Sequence, residues 1–165
     1  MATSDLLEVP GSVAALTITV ASLASSTTYV GRQSTEIDNS STKYPLIYVC
    51  VSIKLGTSPS ANTCVYVFGI RNNADSTPIR DDGAGASDAA WTRKSAGFLT
   101  RQDGSPSILY AGASPATGDV LSGIFLFPNP GPKWAVGVSH NTGVNLNSTG
   151  GNHVVSYFPS RIQAQ

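Results

Sequence analysis

The sequence predicts an all-β protein built as one antiparallel two-sheet β-sandwich. Apolar residues alternate with polar ones in about eight short segments, which is the period of half-buried strands. Clusters of Gly, Pro, Asn and Ser separate these segments, and no stretch of a dozen residues carries the apolar period of a helix. A jelly roll is our first choice because eight strands fit it. Another Greek-key sandwich remains open, since periodicity does not give strand order.

Length and charge narrow the functional classes. The chain has 165 residues, which favours one domain, and ten basic residues balance ten acidic ones. Because the net charge is zero, we expect neither a nucleic-acid partner nor attraction to anionic lipid. No apolar run approaches the roughly 20 residues that cross a bilayer. The first residues lack the basic-then-apolar pattern of an export signal, so we expect synthesis in the cytoplasm and no membrane partner.

The chain begins with a segment that differs from the rest. Residues 1–12 carry Leu6, Leu7 and Val9 and end at a Pro-Gly pair, so we predict an N-terminal arm. This arm is either disordered, as many terminal segments are, or docked on a neighbouring subunit. Docking would bury leucine side chains that are otherwise exposed to water. The sandwich is then expected over residues 13–165, with a short C-terminal tail.

The first two predicted strands follow the arm. Leu16, Ile18 and Val20 alternate with small or polar residues across positions 13–23, as in a half-buried strand. Residues 27–34 form a second, more polar strand that ends near a turn-forming cluster.

The strongest strand signal covers residues 44–55, where every second side chain is aliphatic. After a polar loop, residues 63–70 repeat the alternation, and we predict that the two segments form a hairpin. Cys50 and Cys64 are out of register in that hairpin, so both are expected to be buried free thiols.

Residues 71–96 are rich in Asn, Asp, Gly and Pro, which indicates one long connection. Four further strands are predicted after it, each bounded by turn-forming residues. They cover residues 107–111, 120–127, 133–139 and 152–158.

Catalytic and metal-binding patterns are weak. Ser139 and His140 are adjacent, but neighbours on a strand point to opposite faces, so we do not expect a nucleophile and its base. His140 and His153 flank one turn and could meet, yet no suitable third metal ligand lies nearby in sequence. We therefore predict no enzyme, no metal site and no cofactor.

The long connection holds our second candidate surface. Asp81, Asp82 and Asp88 lie in a glycine-rich loop without the register of a calcium site, and Trp91 stands alone among polar residues. We predict that Trp91 is an exposed anchor that binds either another subunit or a sugar. Trp134, Tyr110 and Tyr157 could complete a sugar-stacking platform if they are exposed.

Three segments carry a resemblance to a known family. They are GTSPSANT at residues 56–63, DGAGASD at residues 82–88, and PKW at residues 132–134 continuing to HNTGVNLNSTGGNH at residues 140–153. Over residues 13–159 the chain resembles small virion structural proteins of tailed bacteriophages. The resemblance implies membership of the virion, and it brings no catalytic residue.

Together these observations predict a capsid decoration, or cement, protein on the outside of a phage head. Its expected partners are the major capsid protein and further copies of itself, as a homodimer or homotrimer. The predicted contact residues are Leu6, Leu7, Val9, Asp81, Asp82, Asp88 and Trp91. A tail, baseplate or fibre module, which could bind carbohydrate, is the alternative.

Overall fold

The computed structural model describes residues 6–79, 85–92 and 107–164, and these residues form two antiparallel sheets packed face to face. The predicted all-β sandwich is confirmed, and its strands are numbered here in the order of the sequence. They are β1 Leu6–Pro10, β2 Ala14–Ala15, β3 Val30–Gln33, β4 Ile37–Asp38, β5 Leu46–Lys54, β6 Cys64–Asn72, β7 Ala89–Thr92, β8 Ser107–Tyr110, β9 Val120–Pro128, β10 Lys133–His140 and β11 Val154–Ala164. No helix in the described ranges is long and apolar enough to span a membrane.

Each sheet is assembled from strands that are distant in the sequence. Sheet A has five strands, in the order β1-β11-β5-β9, with β2 also paired to β11. Sheet B has six, in the order β7-β3-β10-β6-β8, with β4 also paired to β10. Neighbouring strands therefore come from different parts of the chain, and long-range pairing dominates the fold.

The core lies between the two sheets. The predicted alternation of β5 is confirmed, because its aliphatic residues at every second position are buried, from Ile47 to Ile53. Sheet B contributes Trp134, whose ring meets Phe127 and Tyr157 edge-on at centroid distances of 6.1 and 4.9 Å. Burial of these apolar faces is the main stabilising contribution.

The predicted hairpin of β5 and β6 is wrong. Strand β5 pairs with β9 and β11 in sheet A, whereas β6 pairs with β8 and β10 in sheet B. Both strands bury one aliphatic face in the same core from opposite sides, so the intervening loop crosses between sheets. Cys50 and Cys64 consequently lie in different sheets, and both are free and half-buried.

The first predicted strand forms only in part. Ala14 and Ala15 pair with β11, and the chain leaves sheet A after Leu16. The Leu16 amide donates to Val155 of sheet A at 2.9 Å, and the Thr17 carbonyl accepts from Thr35, next to β3, at 2.8 Å. The segment therefore bridges the two sheets. Of the side chains that the alternation predicts to be buried, Leu16 is buried in the core.

Residues 6–10 of the predicted arm are a strand of the fold, so the disordered alternative is wrong for them, while docking on a neighbouring subunit stays a prediction. They form β1, which pairs with β11 from Leu6 opposite Ala164 to Pro10 opposite Ser160. Because β5 ends its pairing at Ser160, residues 161–164 of β11 pair with β1 alone among the described strands. We call residues 6–9 and 161–164 the terminal ribbon, which also contains the predicted C-terminal tail.

Candidate functional site

The predicted contact residues lie in two separate places. Leu6, Leu7 and Val9 lie on the terminal ribbon at the edge of sheet A. Asp88 and Trp91 lie at or next to β7, the edge strand of sheet B. The remaining predicted residues, Asp81 and Asp82, lie outside the described residues.

The prediction that Trp91 is an exposed anchor is wrong. Its side chain is 2% exposed and packs against Phe68 at a centroid distance of 4.9 Å. Trp91 is opposite Gly31, and a side chain at Gly137 would start 3.2 Å from the indole. The absence of a side chain at Gly137 therefore leaves room for the ring, which centres a second apolar cluster with Phe68, Ile70 and Ala135.

Asp88 is occupied within its own chain. Its carboxylate accepts from Arg32 Nε at 2.5 Å and from Thr19 Oγ1 at 2.6 Å. Burial raises the pKa of Asp88, but the hydrogen bonds from Arg32 and Thr19 outweigh it and hold that pKa below its usual value. The charge thus ties the start of β7 to β3 and to the segment that bridges the sheets.

The predicted sugar platform does not form. Trp91 and Trp134 are buried, and Tyr157 packs against Trp134 in the core. Tyr110 is exposed, and its hydroxyl donates to Asn62 Oδ1. Of the four aromatic residues predicted for the platform, Tyr110 is the exposed one.

The two histidines do not share a ligand. His140 is fully buried, with Nδ1 2.9 Å from Thr142 Oγ1 and Nε2 2.9 Å from the Leu23 carbonyl oxygen. His153 Nε2 lies 2.8 Å from the Asn147 carbonyl oxygen. Among the described residues, no group of three His, Cys, Asp or Glu side chains could hold a metal ion.

His140 makes stability depend on pH. Burial lowers the pKa of its imidazole from 6.5, and the hydrogen bond to Leu23 opposes this only in part. Below pH 6.5 the unfolded chain binds a proton at this histidine that the folded chain does not yet bind. The free energy of unfolding therefore decreases as the pH is lowered from 6.5 to the pKa of the folded state, and it stops decreasing below that pKa. We expect the slope to decrease by up to about 1.4 kcal/mol per pH unit in His140→Gln. Urea unfolding at several pH values from about 7.5 to about 5, which bracket the ordinary pKa of 6.5, measures this slope. An unchanged slope in His140→Gln contradicts a lowered pKa of His140.

The outer face of sheet A is an apolar exposed surface that the sequence patterns above do not predict. The outer face of sheet A consists of the outward residues of three adjacent strands. They are Val120, Ser122, Ile124 and Leu126 on β9, Tyr48, Cys50, Ser52 and Lys54 on β5, and Val154, Ser156 and Phe158 on β11. Ile124 is 64% exposed, and Val120, Leu126 and Val154 are each more than half exposed. Small side chains between them leave a depression of about 330 Å³.

A signal for this face is present in the sequence. Residues 120–127 read VLSGIFLF, so apolar side chains occupy both parities of one strand. Leu121, Phe125 and Phe127 pack on the core, and the aliphatic residues between them point outward. A strand that is apolar on both sides is typical of one that is covered on both sides.

The terminal ribbon is the other apolar surface. Leu6 is 73% exposed, and Leu7 and Ile162 are exposed as well. Leu6 shares one side of the ribbon with Glu8 and Ile162, whereas Leu7 shares the other with Val9. No protein-family model, curated protein or solved structure matches this chain.

Proposed function

We propose that the protein is a bacteriophage capsid decoration, or cement, protein. It binds the outside of the head through the terminal ribbon and stabilises the shell against the pressure of packaged DNA. The observation that carries this proposal is the ribbon itself, which presents apolar side chains on both sides and in which, among the described strands, β1 pairs with β11 alone. Such a ribbon suits insertion between capsid subunits.

The ribbon offers two kinds of contact to a capsid partner. Its exposed leucines can enter apolar pockets, and each buried leucine contributes about 1.5–3 kcal/mol. The outer edge of β1 lies at the margin of sheet A, so its free backbone groups can pair with a strand of the partner. Backbone pairing supplies affinity, and alternate side chains supply specificity.

The charge of the chain supports a crowded location. Ten basic and ten acidic residues cancel, so neighbouring copies on a shell do not repel one another over long distances. Binding to the assembled shell stabilises it by mass action, because the separated subunits lack the complete binding site. The mechanism is mechanical and uses no catalytic group.

We also propose that the sandwich is a jelly roll. The strand order supports this topology. In sheet A the last strand, β11, lies between β1 and β5, and in sheet B the strand β10 lies between β3 and β6. The chain thus crosses repeatedly from one sheet to the other and inserts its last strands between earlier ones, as two interlocked Greek keys require.

Removing the two leucines of the ribbon is expected to release the protein from the head. For Leu6→Asp/Leu7→Asp we expect at least about tenfold weaker binding to particles that lack the protein, because two apolar contacts are lost. Co-sedimentation with such particles measures binding. Ile108→Asp, which replaces a residue 52% exposed on sheet B, is the control and should bind like the wild type.

The role itself is tested on particles with and without the protein. We expect particles without it to lose DNA at a lower temperature and at low ionic strength, and the wild-type chain to restore them while the double variant does not. Particles that are equally resistant without the protein contradict the proposal. A copy number of about six to a few dozen, in place of hundreds, contradicts the head location and favours the tail.

A further inference from the structure

We propose that the outer face of sheet A is a self-association interface, through which two copies of this chain pack face to face about a twofold axis. The capsid proposal rests on the leucines of the terminal ribbon, whereas this interface is centred on β5, β9 and β11 and uses only Glu8 of the ribbon, at its rim. The Leu6 and Leu7 variants and the Ile124 variant therefore test the two proposals separately.

The register of the strands arranges the outer face in four rows across sheet A. The rows are Val120 and Lys54, then Ser122, Ser52 and Val154, then Ile124, Cys50 and Ser156, then Leu126, Tyr48 and Phe158. Successive rows are about 6.8 Å apart, because two residues separate them along each strand. Small side chains concentrate in the second and third rows, where Ile124 and Val154 protrude.

One symmetry operation makes this pattern complementary to itself. A twofold axis that lies between the copies, crosses the strands and passes between the second and third rows places the second row on the third and the first on the fourth. Ile124 of one copy then lies over Ser122 of the other, and Val154 lies over Ser156. In the two central rows each protruding side chain therefore faces a small one on the same strand, and in the outer rows Val120 of one copy meets Leu126 of the other, so the contact is the same from both sides.

The shape of the surface agrees with this pairing. Ile124 protrudes beside the depression of about 330 Å³ that Cys50, Ser52 and Ser122 line. A protrusion and a recess side by side on one face are what a twofold contact joins, because each copy supplies both. Packing of the isoleucine into the recess removes apolar surface from water in both copies.

The charges agree as well. Lys54 is the charged residue on the outer face, and the same operation brings it over Tyr48 of the other copy. The Tyr48 hydroxyl donates to Glu8 Oε1 at 2.8 Å, so a carboxylate lies at that end of the face. Each interface therefore has two Lys54–Glu8 attractions at its rim, which favour the antiparallel orientation.

The area indicates how tight the association is. Three or four strands about 4.8 Å apart and four rows about 6.8 Å apart cover roughly 400–500 Å² in each copy. Two copies bury roughly 800–1,000 Å², at the small end of specific interfaces. We therefore expect a reversible dimer with a Kd in the micromolar range, and concentration is the variable that an experiment has to scan.

Sedimentation velocity of the isolated full-length chain from about 1 to 300 μM, a range that brackets micromolar dissociation, tests the interface. The wild type should change from monomer to dimer, and Ile124→Glu should bind at least about 30-fold more weakly because a charge enters the recess. Ile108→Glu is the matched control, since Ile108 is 52% exposed on sheet B, and it should dimerise like the wild type. A wild type that stays monomeric throughout, or an Ile124→Glu that dimerises normally, overturns the proposal.

The orientation is tested by exchanging the two charges. Lys54→Glu and Glu8→Lys should each weaken the dimer several-fold, and the double exchange should recover most of the loss, because the attraction is restored with opposite sign. Far-UV circular dichroism confirms that each variant is folded, and Leu126→Glu replaces Ile124→Glu if the latter is not. No recovery in the double variant overturns the antiparallel arrangement.

Discussion

Replacing Trp91 by alanine is expected to lower the free energy of unfolding by about 3–5 kcal/mol. The indole is 2% exposed and is the largest side chain of the second apolar cluster. Its removal leaves a void over Gly137, which has no side chain to fill it. Urea unfolding monitored by circular dichroism measures the loss.

Two variants make this prediction specific. Trp91→Phe should recover about half of the lost stability, because a smaller ring still contacts Phe68. Ile108→Ala, at a position 52% exposed, should change stability by less than about 0.5 kcal/mol. A Trp91→Ala chain that is as stable as Ile108→Ala contradicts the burial of the indole.

Gly31→Ala is expected to destabilise the protein by about 3 kcal/mol, because the added methyl group has nowhere to go. A Cβ at Gly31 would lie 2.1 Å from the Val138 carbonyl oxygen, which belongs to the neighbouring strand β10. A backbone oxygen cannot turn aside as a side chain can, so β3 must move away from β10 and lose its pairing. The midpoint of thermal unfolding measures the effect.

Gly150→Ala is the matched control for this substitution. A Cβ at Gly150 meets nothing within 4 Å. We therefore expect its stability to remain within about 0.5 kcal/mol of the wild type. Equal stability of the two alanine variants contradicts the close approach of β3 and β10.

The sequence predicts the class and many of the strands because alternation is a local property. In β5 every second residue is aliphatic, and this alone identifies the buried face. The partner of β5 is not a local property: the next strand along the chain, β6, lies in the opposite sheet. The segment around Leu16 fails for a related reason, since alternation predicts burial but not which sheet accepts the backbone bonds.

The candidate surfaces show the same division. Composition indicates an apolar surface at Leu6 and Leu7, and both are exposed, but the strand that pairs with them lies more than 150 residues away. The polar residues next to Trp91 in the sequence predict an exposed side chain. The indole is buried because it packs on Phe68 of β6 and on Gly137 of β10, and no pattern around Trp91 indicates these contacts.

The position of β11 has a consequence for how the chain folds. This strand lies between β1 and β5 and also pairs with β2, so sheet A stays divided until residues 154–164 are in place. During synthesis on the ribosome, the backbone groups of β1, β2 and β5 that pair with β11 therefore have no partner until β11 has been made. Pairing strands that lie more than 100 residues apart is slow, so we expect refolding in milliseconds to seconds. We also expect nascent chains truncated before β11 to need a chaperone.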